Sequence, residues 1–166
     1  MRYYIIAGEA SGDLHGSNLM KGIYAEDPQA EIRFWGGDLM ESVWAESEPV
    51  SPAAGGGRAR SAGVGGVVSE TAFPSGLVRH YKDGAIIGFV EVFVKARMLL
   101  GNVSFCKKDI LQWKPDVVIL IDYPGFNFKI AEFAHKAGFK VFYYIAPKVW
   151  ASREGRIKKL KKYVDK

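Results

Sequence analysis

The chain of 166 residues is poor in cysteine, in histidine and in long apolar runs, and each shortage excludes something. Its single cysteine, Cys106, rules out an internal disulfide framework and suits a reducing compartment. The N-terminus reads Met1-Arg2-Tyr3-Tyr4-Ile5-Ile6-Ala7 and turns polar at Gly8-Glu9. That apolar run is too short for a signal peptide and far too short to span a bilayer, so a cytoplasmic location is expected. His15, His80 and His135 are scattered, with no Cys, Asp or Glu at metal-ligand spacing, and no metal site is expected.

What is present is ample apolar material: 48% of residues are hydrophobic, enough for one domain with a real core. The net charge of +5 is moderate. Much of it crowds into Arg153, Arg156, Lys158, Lys159, Lys161 and Lys162, where a solvated helix face and an anionic partner are equally compatible with composition. No nucleic-acid-binding motif accompanies this cluster, and no nucleic-acid partner is expected.

Tyr3–Ala7 is a short aromatic and β-branched run, the pattern of a buried strand. Gly8–Gly12 reads as a turn, and from Asp13 the positions Leu14, Leu19, Met20 and Ile23 fit a helix that Asp13 would cap. Asp27-Pro28 ends it, because the residue before proline avoids the helical region. Glu31–Trp35 is a second strand, closed by Gly36-Gly37. Strand, turn, helix and strand at this spacing make a βαβ unit with a parallel sheet. Val117–Ile121 and Lys140–Ile145 repeat the strand pattern, with helices expected over Asn127–Ala137 and Arg153–Tyr163. The alternation predicts an α/β fold with a Rossmann-like parallel sheet flanked by helices. Residues 45 to 76 break the scheme. Ser47–Ala62 is built from Ser, Pro, Ala, Gly and Arg around Gly55-Gly56-Gly57, too polar to offset its ordering entropy. A flexible Gly/Ser/Ala-rich insertion is expected there.

Three segments carry candidate chemistry. Gly8-Glu9-Ala10-Ser11-Gly12-Asp13 follows the first strand and opens a helix, where ligands collect in open α/β sheets. It is neither a Gly-x-Gly-x-x-Gly fingerprint nor a P-loop, since the Lys-Ser/Thr ending is missing. The carboxylates of Glu9 and Asp13 suit sugar hydroxyls better than phosphate; the plain alternative is a strand–helix turn with a capping Asp. Asp122 ends the apolar strand and precedes Tyr123-Pro124-Gly125-Phe126-Asn127. At that lip, apolar neighbours would raise a carboxyl pKa toward a general base, though a turn aspartate fits equally well. Pro124-Gly125 suggests a tight turn, and Asn127 is placed either to cap the next helix or to touch ligand. In Gly88–Leu100, Phe89, Val92, Phe93, Ala96, Leu99 and Leu100 form one helical stripe and Val90, Val94 and Met98 a second, interrupted by Arg97. Together they exceed the roughly 100° arc of a core-facing helix, which points to a bilayer interface or to a fully buried helix.

Taken together, Gly8–Asp13, Ile87-Gly88-Phe89-Val90-Glu91-Val92, Lys114-Pro115-Asp116-Val117, Ile121–Asn127 and Ala146-Pro147-Lys148-Val149-Trp150-Ala151 resemble lipid-A-disaccharide synthases. The resemblance runs from the first strand to the C-terminus, excluding about 42 to 76. It implies the N-terminal domain of a GT-B glycosyltransferase at the inner-membrane surface. The substrates would be UDP-diacylglucosamine and lipid X (diacylglucosamine 1-phosphate), the products a β-1,6-linked disaccharide 1-phosphate and UDP, with neither cofactor nor metal. By the same resemblance Asp122 is the general base; Glu9, Ser11, Gly12, Asp13, Phe126 and Asn127 bind substrate. Phe89, Val90, Val92, Phe93, Arg97, Leu99 and Leu100 would meet membrane and acyl chains. By the same resemblance members are about twice as long, with a C-terminal domain that supplies most nucleotide contacts, so residues 1–166 would lack that domain and be inactive alone. Another UDP-sugar enzyme with a GT-B domain, and a non-catalytic membrane-docking α/β module, are the competing readings.

Overall fold

A computed structural model describes residues 1–47, 75–84, 91–145 and 154–166, without the side chains of 83, 84, 91–99, 154 and 156. The described elements alternate as expected: β1 (Arg2–Ala7), α1 (Ala10–Glu26), β2 (Glu31–Gly36), α2 (Asp38–Ser47), β3 (Gly76–His80), a 3₁₀ turn (Tyr81–Gly84), α3 (Glu91–Trp113), β4 (Val117–Ile121), α4 (Pro124–Lys136), β5 (Lys140–Ile145) and α5 (Glu154–Tyr163). The described strands form one parallel sheet in the order β3-β2-β1-β4-β5. Beyond β5, the Asp165 N–H donates to the Val141 carbonyl and the Tyr143 N–H to the Lys166 carbonyl, so the last residues run along that edge.

The side-chain alternation of each strand sends residues to two cores. On one face Ile5, Ala7, Phe34 and Ile119 pack with Met20 of α1 and Met40 and Val43 of α2. On the other, Tyr4, Ile6, Trp35, Val118 and Leu120 meet Cys106, Ile110 and Trp113 of α3, Phe126 and Ile130 of α4, and Tyr163 of α5. All five residues of β4 are buried, which is why its sequence is an unbroken apolar run instead of an alternating one.

A buried polar network fixes the second core. The Arg33 guanidinium forks onto Asp109 at 2.9 and 2.7 Å, the Tyr4 hydroxyl donates to the same carboxylate at 2.6 Å, and the Trp35 indole N–H donates to that hydroxyl at 2.9 Å. A buried ion pair holds only when its remaining lone pairs are also satisfied, and here β1, β2 and α3 jointly satisfy them. Burial raises both the Tyr4 phenol and the Cys106 thiol beside it.

Several expectations are corrected. α1 begins at Ala10, not Asp13, and α4 at Pro124, not Asn127. α2, β3 and the C-terminal half of α3 had no counterpart in the sequence reading. Of the stretch 45 to 76, Ala45–Ser47 close α2 and Gly76 opens β3; residues 48–74 lie outside the described residues. So do Phe89, Val90, the segment 146–151 and the side chains of Val92, Phe93, Arg97 and Leu99. Leu100, on α3, is 58% exposed. Among the described residues no helix is long and apolar enough to cross a membrane.

Candidate functional site

The strand order reverses between β1 and β4: the chain steps outward from β1 to β2 and β3, then returns to place β4 on the other side. Loops leaving neighbouring strands diverge at such a switch point, and the crevice beyond their carboxyl ends is where open α/β sheets bind ligands. Ala7 lies opposite Ile121 in the register. The two loops singled out in the sequence, after Ala7 and after Ile121, therefore leave the sheet side by side.

They touch. A Cβ built on Gly8 would lie 2.3 Å from two ring atoms of Tyr123, so only glycine lets the ring lie over this backbone. Burial raises the Tyr123 phenol, and the charge of Glu9 raises it further. Asp122 and Tyr123 both have left-handed backbones, with φ of 45° and 46°. Two consecutive non-glycine residues in that region cost on the order of 1–3 kcal/mol each and persist only where neighbours over-determine them. The Asp122 carbonyl accepts hydrogen bonds from Tyr143 Oη at 2.6 Å and Asn127 Nδ2 at 2.8 Å, while its N–H donates to the Ile145 carbonyl. Among the described residues the Asp122 carboxylate has no hydrogen-bonding partner. The tight turn thus falls at Asp122-Tyr123, with Pro124 as the first helical residue, where its missing N–H is harmless.

Beside this junction a small cleft opens to solvent, with a cavity volume of about 40 Å3. Its floor is the ends of β1 and β2 (Ile6, Ala7, Gly8, Trp35), and Tyr123 and Phe126 form one wall. Arg79 and His80 at the end of β3, Tyr81 just after it and Asn102 of α3 form the other. Rings run continuously across it: Tyr123 stacks on Phe126 at 5.5 Å and Phe126 meets Trp35 at 5.3 Å. Arg79 lies over Trp35 at 6.0 Å.

The predicted residues divide. Glu9 and Ser11 are exposed on the β1 loop, and Phe126 lines the cleft although 1% exposed. Gly12 is buried, and a Cβ built on it would lie 3.2 Å from the Ala7 methyl, tight packing instead of an open ligand approach. Asp13 is 2% exposed and caps a different helix from the one expected: Oδ1 accepts the N–H groups of Gly37 at 2.8 Å and Met40 at 3.1 Å, and Oδ2 that of Leu39 at 3.1 Å. Its carboxylate is committed to the positive end of α2. Asn127 is fully buried and neither caps α4 nor faces the cleft; its amide reaches back to the Ile121 and Asp122 carbonyls. Arg79, Tyr81, Asn102 and Tyr143 had no sequence signal, since their placement depends on partners far along the chain.

A sequence model described as lipid-A-disaccharide synthetase matches residues 57–166. The chain belongs to that family. The match begins inside the Gly-rich stretch, and relatives extend it over the β1 loop. Lipid-A-disaccharide synthases of Trichlorobacter lovleyi and Geobacter metallireducens are 38% and 39% identical over 99% of this chain. That of Coxiella burnetii is 35% identical over 97%. The chain spans 35% of the length of each of these relatives, about a third instead of the expected half.

Proposed function

We propose that this chain forms the acceptor side of a lipid-A-disaccharide synthase, an inverting glycosyltransferase that joins diacylglucosamine from its UDP derivative to lipid X. The meeting of the Gly8–Asp13 and Ile121–Asn127 loops at the switch point carries the reading. It brings together, beyond the carboxyl ends of β1 and β4, an exposed Ser11 and Glu9, an Asp122 carboxylate with no partner among the described residues and an aromatic-walled cleft.

In this reading the 6-hydroxyl of the acceptor attacks the anomeric carbon of the donor. The new C–O bond forms as the bond to UDP breaks with inversion, and the hydroxyl proton passes to Asp122. Glu9 and Ser11 hold sugar hydroxyls and Phe126 backs the ring. Gly12, Asp13 and Asn127 act by holding the two loops in place. The backbone clamp from Tyr143 and Asn127 keeps Asp122 in its left-handed turn, so that its aim does not depend on ligand. The apolar positions of Gly88–Leu100 meet acyl chains at the cytoplasmic face of the inner membrane. The UDP contacts come from a second domain, so the chain by itself is inactive.

A radiolabelled transfer assay tests this with the chain alone and co-expressed with the remaining part of a relative. No disaccharide is expected from the former; disaccharide is expected from the pair, and Asp122→Asn should abolish it. Transfer by the isolated chain, or a pair indifferent to Asp122→Asn, would overturn the scheme. Vesicle sedimentation provides a second test: Phe93→Ser with Leu99→Ser should release the folded chain from anionic vesicles.

A further inference from the structure

The far wall of the cleft carries a cation that no carboxylate among the described residues neutralises. Arg79 lies opposite Trp35 in the β2–β3 register, with its guanidinium over the indole. It donates one hydrogen bond, from Nη1 to Asn102 Oδ1 at 2.6 Å. A guanidinium has five donors in a fixed fork, so this single neutral acceptor orients it and leaves most of the fork open. Among the described residues no carboxylate pairs with it. The neighbouring side chains are already engaged: Asp38 holds His80 at 3.2 Å and Lys82 on its other oxygen. Among the described residues no Asp or Glu lines the cleft. A partly buried, pre-oriented guanidinium with no carboxylate partner among the described residues, facing an aromatic-walled cleft, is built for a planar or tetrahedral oxyanion.

We propose that Arg79 is the phosphate-binding residue of this cleft and that the ligand is a sugar phosphomonoester. The phosphate lies on the open fork of Arg79, and the sugar lies beside Tyr81 and Tyr123, the half-buried rings that line the cleft. Aromatic faces match the C–H face of a sugar ring, and the fork matches two phosphate oxygens at once. The anion site stands on the geometry alone, whereas the choice of a sugar monoester, the acceptor's phosphate over the donor's diphosphate, rests on the glycosyl-transfer reading.

Titrating the purified chain with glucosamine 1-phosphate, inorganic phosphate, glucosamine and UDP, followed through the Arg Nε–H and Trp indole signals in 1H–15N spectra, tests it. Glucosamine 1-phosphate should move the Arg79 and Trp35 signals and bind more tightly than phosphate, and glucosamine should not bind detectably. Arg79→Gln should weaken sugar-phosphate binding roughly tenfold or more, the scale of a charge-assisted contact. Binding unchanged in Arg79→Gln, or UDP moving the Arg79 signal where glucosamine 1-phosphate does not, overturns the proposal. Equal, Arg79-dependent binding of phosphate and sugar phosphate would uphold the anion site and count against the sugar reading. If Arg79→Gln loses spectral dispersion, the wild-type Arg79 signal decides: no movement at saturation refutes the site.

Discussion

Replacing Asp13 removes the acceptor for three backbone N–H groups at the start of α2, two of them buried and one partly buried. A buried donor left without a partner costs about 1–3 kcal/mol. Asp13→Ala should therefore destabilise the chain by about 3 kcal/mol, with water entering the vacated space and keeping the loss near the low end of that sum. For a domain of this size that is a fall in Tm of about 6–12 °C. Asp13→Asn is the sharper variant. An amide oxygen at the Oδ1 position would still accept from Gly37 and Met40, but its nitrogen would face the Leu39 N–H as a second donor, and the charge at the helix terminus is gone. About 1–2 kcal/mol is expected, between wild type and alanine. Urea unfolding followed by far-UV circular dichroism measures all three proteins with one probe. The reasoning fails if both variants unfold within about 0.5 kcal/mol of wild type, the range of ordinary surface changes. A stable Asp13→Asn with impaired sugar binding would instead put this carboxylate on the ligand.

Gly8→Ala should destabilise by about 1–3 kcal/mol, since the new methyl overlaps a Tyr123 ring already stacked on Phe126. Much of that loss should vanish in a Tyr123→Ala background, and a double-mutant cycle with no coupling would show that the two loops do not meet. Asp109→Ala strips the largely buried Arg33 of its carboxylate and should cost about 3–5 kcal/mol in calorimetry, whereas Asp109→Leu with Arg33→Met should cost less. Cys106 should resist Ellman's reagent at pH 8 until the protein unfolds, because burial pushes its thiol up. The folded value lies above the unfolded one of about 8.5. Its contribution is therefore complete below that pH and lost as the pH rises beyond it, so Cys106→Ser should flatten the alkaline side of a stability–pH curve.

The central strands were legible because burial on both faces leaves one kind of sequence. Val117–Ile121 has no polar position to blur its ends, and Gly8-Glu9 and Asp122 mark where the apolar run meets solvent. β3 was not legible: it is an edge strand with one buried residue in five, and Gly-Leu-Val-Arg-His has no alternation to read. α2 was missed because its N-terminal cap is not next to it. The cap is Asp13, contributed across the sheet face by the preceding helix.

By itself, then, the sequence determined the α/β class, the central strands and the two loops that leave their carboxyl ends, because burial and chain reversal act over a few residues. Tertiary structure decided what each polar group in those loops does. Asp13 and Asn127 looked like ligand contacts and act as supports, since the Asp13 oxygens accept backbone N–H groups at the start of α2 and the Asn127 amide N–H groups donate to the Ile121 and Asp122 carbonyls. Arg79 carried no signal in the sequence and became a candidate ligand contact, since the β2–β3 pairing sets it over Trp35 and α3 brings Asn102 to orient it.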